Sequence, residues 1–87
     1  MLCGGFQGKE ITQKQHDLAN HHLQDVNNLL GKSFTSLNVT KYSSQIVAGT
    51  NHLLEAEAND GTKLSLKVFE PLPHTNSPTQ LSEAKLL

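Results

Sequence analysis

The 87-residue sequence contains no arginine, no tryptophan and a single cysteine, and each absence removes a class of function. Its seven basic residues are all lysines, at 9, 14, 32, 41, 63, 67 and 85, spread along the chain and balanced by acids to a formal net charge of −1. Without a guanidinium fork there is no bidentate reader of bases or phosphates, and dispersed lysines form no stripe that would release counterions from a nucleic acid. Nucleic acid is therefore not an expected partner. Cys3 alone makes no internal disulfide, and Met1-Leu2-Cys3-Gly4-Gly5 has neither the basic segment nor the apolar stretch of a signal peptide, so a reducing, cytoplasmic address is expected. No apolar run approaches the ~20 residues that span a membrane, and no membrane association is expected. A chain this short forms one domain, residues 1–87, with room for one core, since small domains bury only about two-thirds of their unfolded surface.

What is present is a change of period. Residues 1–10 carry three glycines and no periodicity, which reads as an extended, mobile arm. Thr12 and Gln15 have capping-box spacing, in which the two side chains satisfy free N–H groups at a helix start. Leu18, His22, Val26 and Leu29, flanked by Ala19, Leu23 and Leu30, recur at steps of three and four, opposite Lys14, Asp17, Asn20, Gln24, Asp25 and Asn28. This predicts one amphipathic helix ending at Gly31, which suits the left-handed closing position. From Phe34 the pattern becomes strand-like: a long strand from Leu37 to Val47, a second from Thr50 to Ala58, and a third from Lys63 to Phe69 with Leu64, Leu66 and Val68 facing inward. Asn59-Asp60-Gly61 predicts a two-residue hairpin turn. All three prolines fall within 71–78, a density that only a loop accepts, and 79–84 suit a short edge strand. One helix followed by short-linked strands predicts an α+β fold, the helix wrapped by a four- to five-stranded antiparallel sheet, because parallel strands would need crossovers for which there is no length.

The chemistry of catalysis finds no constellation. The histidines, at 16, 21, 22, 52 and 74, include no i, i+4 pair for a helical metal site, and one cysteine builds no zinc cluster. They are expected to be solvated or to line the core edge. Cys3 on a glycine-flanked arm has no fixed electropositive neighbour to lower its pKa, and no glycine-rich phosphate loop links a strand to a helix. No catalytic residue, cofactor or metal is expected. What remains is surface: the glycine-rich arm, the bend within Gln45-Ile46-Val47-Ala48-Gly49, and the loop Leu72-Pro73-His74. In a meander the bend at 48–51 and the loop at 70–78 share one end of the sheet, and apolar Val47, Ala48, Leu72 and Pro73 gathered there suit a groove in a partner.

Gln45-Ile46-Val47-Ala48-Gly49 resembles the Gln-x-Val-x-Gly motif of the cystatins, and the run on through Thr50-Asn51 is similar to the stefins, the single-domain branch without disulfides or signal peptide. Met1-Leu2-Cys3-Gly4-Gly5 resembles a stefin amino terminus. Leu66-Lys67-Val68-Phe69 and Leu72-Pro73-His74-Thr75-Asn76 resemble the strand and second loop that follow. The resemblance spans nearly the whole chain in order. It implies reversible, tight inhibition of papain-like, cathepsin-type cysteine proteases by a wedge of three parts: Leu2, Cys3, Gly4 and Gly5 in the non-primed pockets, Gln45, Ile46, Val47, Ala48 and Gly49 over the catalytic cysteine, and Leu72, Pro73 and His74 on the primed side. Leu2 is the candidate for the second substrate pocket. The residue chemistry agrees, since Gly4 and Gly5 allow close backbone approach, small apolar Val47 and Ala48 desolvate a cleft, Gly49 permits positive φ, and Gln45 can bond across the hairpin neck. The stefins continue into a Tyr-containing segment that this sequence lacks after Leu87, so accessory contacts from such a tail are not expected. A monomer is expected, with a domain-swapped dimer as the alternative that the branch implies. Two other readings use the same scaffold: a non-inhibitory interaction module that binds through its edge strand, and a small-molecule carrier, which an 87-residue, leucine-filled core leaves little room for.

Overall fold

Thr12 opens the helical region. Its backbone N–H donates to Gln15 Oε1 at 2.7 Å and its hydroxyl accepts from the Lys14 N–H at 3.3 Å, completing the expected capping box. In the computed structural model, which describes residues 7–87, two helices follow, α1 (Gln13–His21) and α2 (Leu23–Leu30), where the periodicity predicts one. The break falls at His22, and Gly31 closes α2 in the left-handed conformation at φ 66°. Ala19 and Val26 are fully buried on the inner face, with Leu18, Leu23 and Leu30 half-buried beside them. Leu29, expected on that face, is 60% exposed; three residues beyond Val26 it rotates past the flank, whereas Leu30 returns to the sheet.

Among the described residues, five antiparallel strands form one sheet in the order β1-β2-β3-β4-β5: Gln7–Gly8, Leu37–Val47, Gly49–Ala58, Lys63–Glu70 and Gln80–Leu86. The extended segment expected over 1–10 thus enters the described residues as a strand, Gln7 opposite Ser44 and Gly8 opposite Ser43. A bulge at Thr40 shifts the phase of β2, so that Leu37 and Val39 before it and Tyr42 and Ser44 after it all face the helices. Opposite them lie Leu54, Ala56 and Ala58 of β3 and Leu64, Leu66 and Val68 of β4. Burying a side chain such as Leu54, Leu64 or Leu66 stabilises the fold by roughly 1.5–3 kcal/mol. This core holds the sheet around the helices.

β1 is too short to cover β2, and the polar side of the helices supplies the missing partners. Asn20 brackets Leu37, accepting from its N–H and donating to its carbonyl at 2.9 Å each. Asn27 does the same for Phe34 at 2.8 and 2.9 Å, and His16 Nδ1 accepts from the Val39 N–H at 3.1 Å. These bonds satisfy backbone groups that a sheet edge would otherwise leave open. The last strand runs on to Leu86, longer than the short edge strand expected over 79–84. The β3–β4 turn also differs. Gly61 alone takes positive φ, at 89°, and the Ala58 N–H donates to the Thr62 carbonyl at 2.8 Å, a three-residue loop in which glycine follows a tight turn.

Candidate functional site

The register of the sheet brings two chain reversals to one edge. Val47 faces Gly49 across the β2–β3 bend, Thr50 faces Glu70 and Phe69 faces Gln80, so the bend at Ala48 and the connection from Pro71 to Thr79 leave the same end. The described chain begins at that end as well, Gln7 lying opposite Ser44 with Val47 further along β2. Leu2, Cys3, Gly4 and Gly5 fall outside the described residues.

The bend exposes apolar side chains. Ile46 is 70% exposed and Val47 43%, and across the edge Leu72 is 40% exposed. Ala48, Pro73 and His74 are exposed too. Gln45 Oε1 accepts from Asn51 Nδ2 at 3.0 Å, a bond across the hairpin neck that holds the two strands in register below the tip. Gly49 differs from its neighbours in being buried. At φ 128° it lies so close to β4 that an added Cβ would sit 2.5 Å from the Glu70 carbonyl oxygen and 2.8 Å from the Phe69 ring. It shapes the tip from behind, while 46–48 form the surface.

The second reversal is more ordered than a proline-rich loop requires. Pro73–Thr75 form one 3-10 turn, tied by the Thr75 hydroxyl and N–H, which donate to the Leu72 carbonyl at 2.7 and 3.0 Å. Asn76 ends it in the left-handed region at φ 54°. Asparagine tolerates that conformation better than most residues.

Behind this edge runs a polar chain that the sequence reading did not foresee. The Tyr42 hydroxyl lies 2.6 Å from His52 Nδ1, and His52 Nε2 lies 2.7 Å from Glu70 Oε1, linking β2, β3 and β4 through the buried ring of His52. Tyr42 and His52 stack at 5.7 Å. Burial pushes the Tyr42 hydroxyl above its ordinary 10.0; hydrogen bonds with Gln15 and Ser44 pull it down, and the Glu70 charge adds to the rise. Strand parity carried the signal for His52, which shares a face with Leu54, Ala56 and Ala58, but Tyr42 reaches that face only because of the bulge.

Of the remaining histidines, two have structural partners and two are exposed. His22 is buried between Asp25 Oδ2 at 3.2 Å and Thr79 Oγ1 at 2.8 Å, His16 meets the Val39 N–H, and His21 and His74 are exposed. Among the described residues no three His, Cys, Asp or Glu side chains converge to hold a metal ion, and no helix is long and apolar enough to cross a membrane. A hollow of about 560 Å³ lies between α2 and β5, lined by His22, Asp25, Leu29, Thr79 and Leu81. It is larger than a core this small was expected to leave, but it is open to solvent.

The sheet thus presents exposed apolar side chains on two chain reversals at one edge. Comparison with known proteins carries this further. Residues 8–86 match the Cystatin domain model. The chain is 33% identical to Cystatin-B of Homo sapiens over 86 residues, covering 94% of this chain and 85% of that protein, and 30% identical to Stefin-C of Bos taurus over 80 residues, covering 91% and 79%. A solved structure, the secreted type 1 cystatin from Fasciola hepatica, shares the fold with a TM-score of 0.77 at 21% identity, covering 97% of this chain and 96% of that one. The chain belongs to the cystatin family, in its stefin, or type 1, branch. Cystatins are inhibitors of cysteine proteases and are not enzymes.

Proposed function

We propose that this chain is a reversible, tight-binding inhibitor of papain-like, cathepsin-type proteases that plugs the active-site cleft with three segments: Leu2 to Gly5, Gln45 to Gly49, and Leu72 to His74. The observation that carries this reading is the gathering of exposed Ile46, Val47 and Leu72 on one sheet edge, the edge nearest which the described amino-terminal strand also starts. The plug acts by occlusion. Val47 and Ala48 desolvate the cleft with small apolar side chains without placing a scissile carbonyl near the thiolate, and the Gln45–Asn51 bond keeps the tip from unzipping as it enters. Prolines 71 and 73 and the 3-10 turn reduce the conformational freedom that the second loop loses on docking. Residues 1–87 act as one domain, a monomer suited by its single cysteine to a reducing, cytoplasmic compartment. Exchange of the helices and β2 between two copies, opening at the β2–β3 bend, would disable the tip.

Titration of papain, followed by hydrolysis of a peptide substrate, tests the reading. Stoichiometric loss of activity is expected; full activity at micromolar excess would reject it and favour a module that binds through the open edge of β5, Gln80–Leu86. Deleting residues 1–3 removes Leu2, whose burial is worth roughly 1.5–3 kcal/mol, so dissociation should accelerate about tenfold to a hundredfold. Equal dissociation rates would remove the arm from the plug.

A further inference from the structure

We infer that Tyr42, His52 and Glu70 form a clamp that positions the second loop against the hairpin tip, with Glu70 and His52 acting as positioning residues for inhibition. The inference rests on the proposed inhibitory reading and adds to it residues outside the three plug segments.

Glu70 is the last residue of β4, immediately before Pro71-Leu72-Pro73. Its backbone carbonyl stands against Gly49, 2.5 Å from where a Cβ would be, and its carboxylate reaches His52 Nε2 at 2.7 Å. One residue therefore touches the hairpin with its main chain and the sheet interior with its side chain. His52, cross-strand partner of both Ser44 and Val68, passes the link to Tyr42 of β2 at 2.6 Å. For a neutral His52 ring beside a Glu70 carboxylate, donors and acceptors alternate along the chain. An ionised carboxylate only accepts, so Nε2 carries the hydrogen; Nδ1 of the neutral ring then accepts from the Tyr42 hydroxyl. The chain runs one way, Tyr42 O–H to Nδ1 and Nε2–H to Glu70, and no buried polar side-chain atom among the described residues is left without a partner. Both ends of the ring are held, so the carboxylate that precedes the second loop is fixed relative to the strand that leads into the tip. A two-loop plug needs that spacing set before it meets a rigid cleft.

The Glu70 side chain is 53% exposed, so its removal leaves the apolar core in place and the variant is expected to fold. Glu70→Ala is expected to weaken papain inhibition about tenfold, the scale of one lost hydrogen bond to a charged group. Glu70→Gln, which keeps an acceptor oxygen for Nε2–H, is expected to recover most of the loss, and Glu57→Ala, at the other end of the sheet, to change nothing. Independently of any protease, ¹⁵N NMR of the full chain should show His52 with its proton fixed on Nε2. A wild-type chain that fails to inhibit would sink the inhibitory reading and leave the NMR test of the clamp standing. A wild-type chain that inhibits, with Glu70→Ala equally potent, or a His52 ring averaging its proton between both nitrogens, would overturn the clamp.

Discussion

The β2–β3 and β3–β4 hairpins turn within one sheet, and each places a glycine at positive φ: Gly49 at 128° and Gly61 at 89°. Their surroundings differ. Gly61 faces open space, the nearest atom to an added Cβ being Glu57 Oε2 at 4.0 Å, and its loop closes on itself through Asp60, whose carboxylate accepts from the Thr62 N–H at 2.9 Å. Gly49 is walled in by β4 and holds up three residues, Ile46, Val47 and Ala48, whose apolar side chains are exposed. The Gly61 turn meets only the conformational demand of reversing the chain. The Gly49 turn meets that demand and also presses the tip against β4, the strand that leads to the neighbouring loop.

The sharpest test of this difference is the same substitution at both sites. Gly49→Ala should be the most damaging change at either turn. A methyl group 2.5 Å from a backbone carbonyl forces β4 away from the tip, so papain inhibition should fall by on the order of a hundredfold and the thermal midpoint should drop. Gly61→Ala meets strain without a clash and should cost about 1 kcal/mol in denaturant unfolding, with inhibition unchanged. Similar losses of inhibition from the two variants would erase the distinction.

Smaller effects separate the ends by pH. Near the tip, burial raises the Tyr42 hydroxyl, so its contribution is complete below its ordinary 10.0 and is lost as alkali carries the pH up through the folded value. Thermal midpoints measured across that range should fall more steeply for wild type than for Tyr42→Phe, which has no proton to lose. At the far turn the sign reverses. Hydrogen bonds from the Thr62 side chain and N–H hold the Asp60 carboxyl below its ordinary 3.8, so its contribution is present above that value and fades as acid carries the pH down. Asp60→Asn should flatten the acid limb by a small amount, because the group is fully exposed, and should leave papain titration untouched.

Much of the fold could be read from period and punctuation. The Thr12–Gln15 box, Gly31, the alternation of Leu64, Leu66 and Val68, and the proline cluster each reflect local chemistry that acts in the residue's own neighbourhood. The bend and second loop were legible for the same reason, and meander connectivity alone predicted that they would share an end. The differences lie where distant segments decide. His22 is held by Thr79, 57 positions away, in a place where the helix breaks, and a helical pattern gives no sign of it. The Thr40 bulge moves Tyr42 inward, and no strand parity extrapolated from Leu37 and Val39 would place it beside His52. Glu70 looked like the first residue of a loop and is the last of a strand.

The contrast between position 49 and the three positions before it bears on redesign. Ile46, Val47 and Ala48 are exposed and free of side-chain hydrogen bonds within the chain, so a combinatorial library could randomise all three and still return a correctly folded scaffold. Position 49 admits a single amino acid. A change of target specificity could therefore be sought in three adjacent codons, with the hinge behind them left alone.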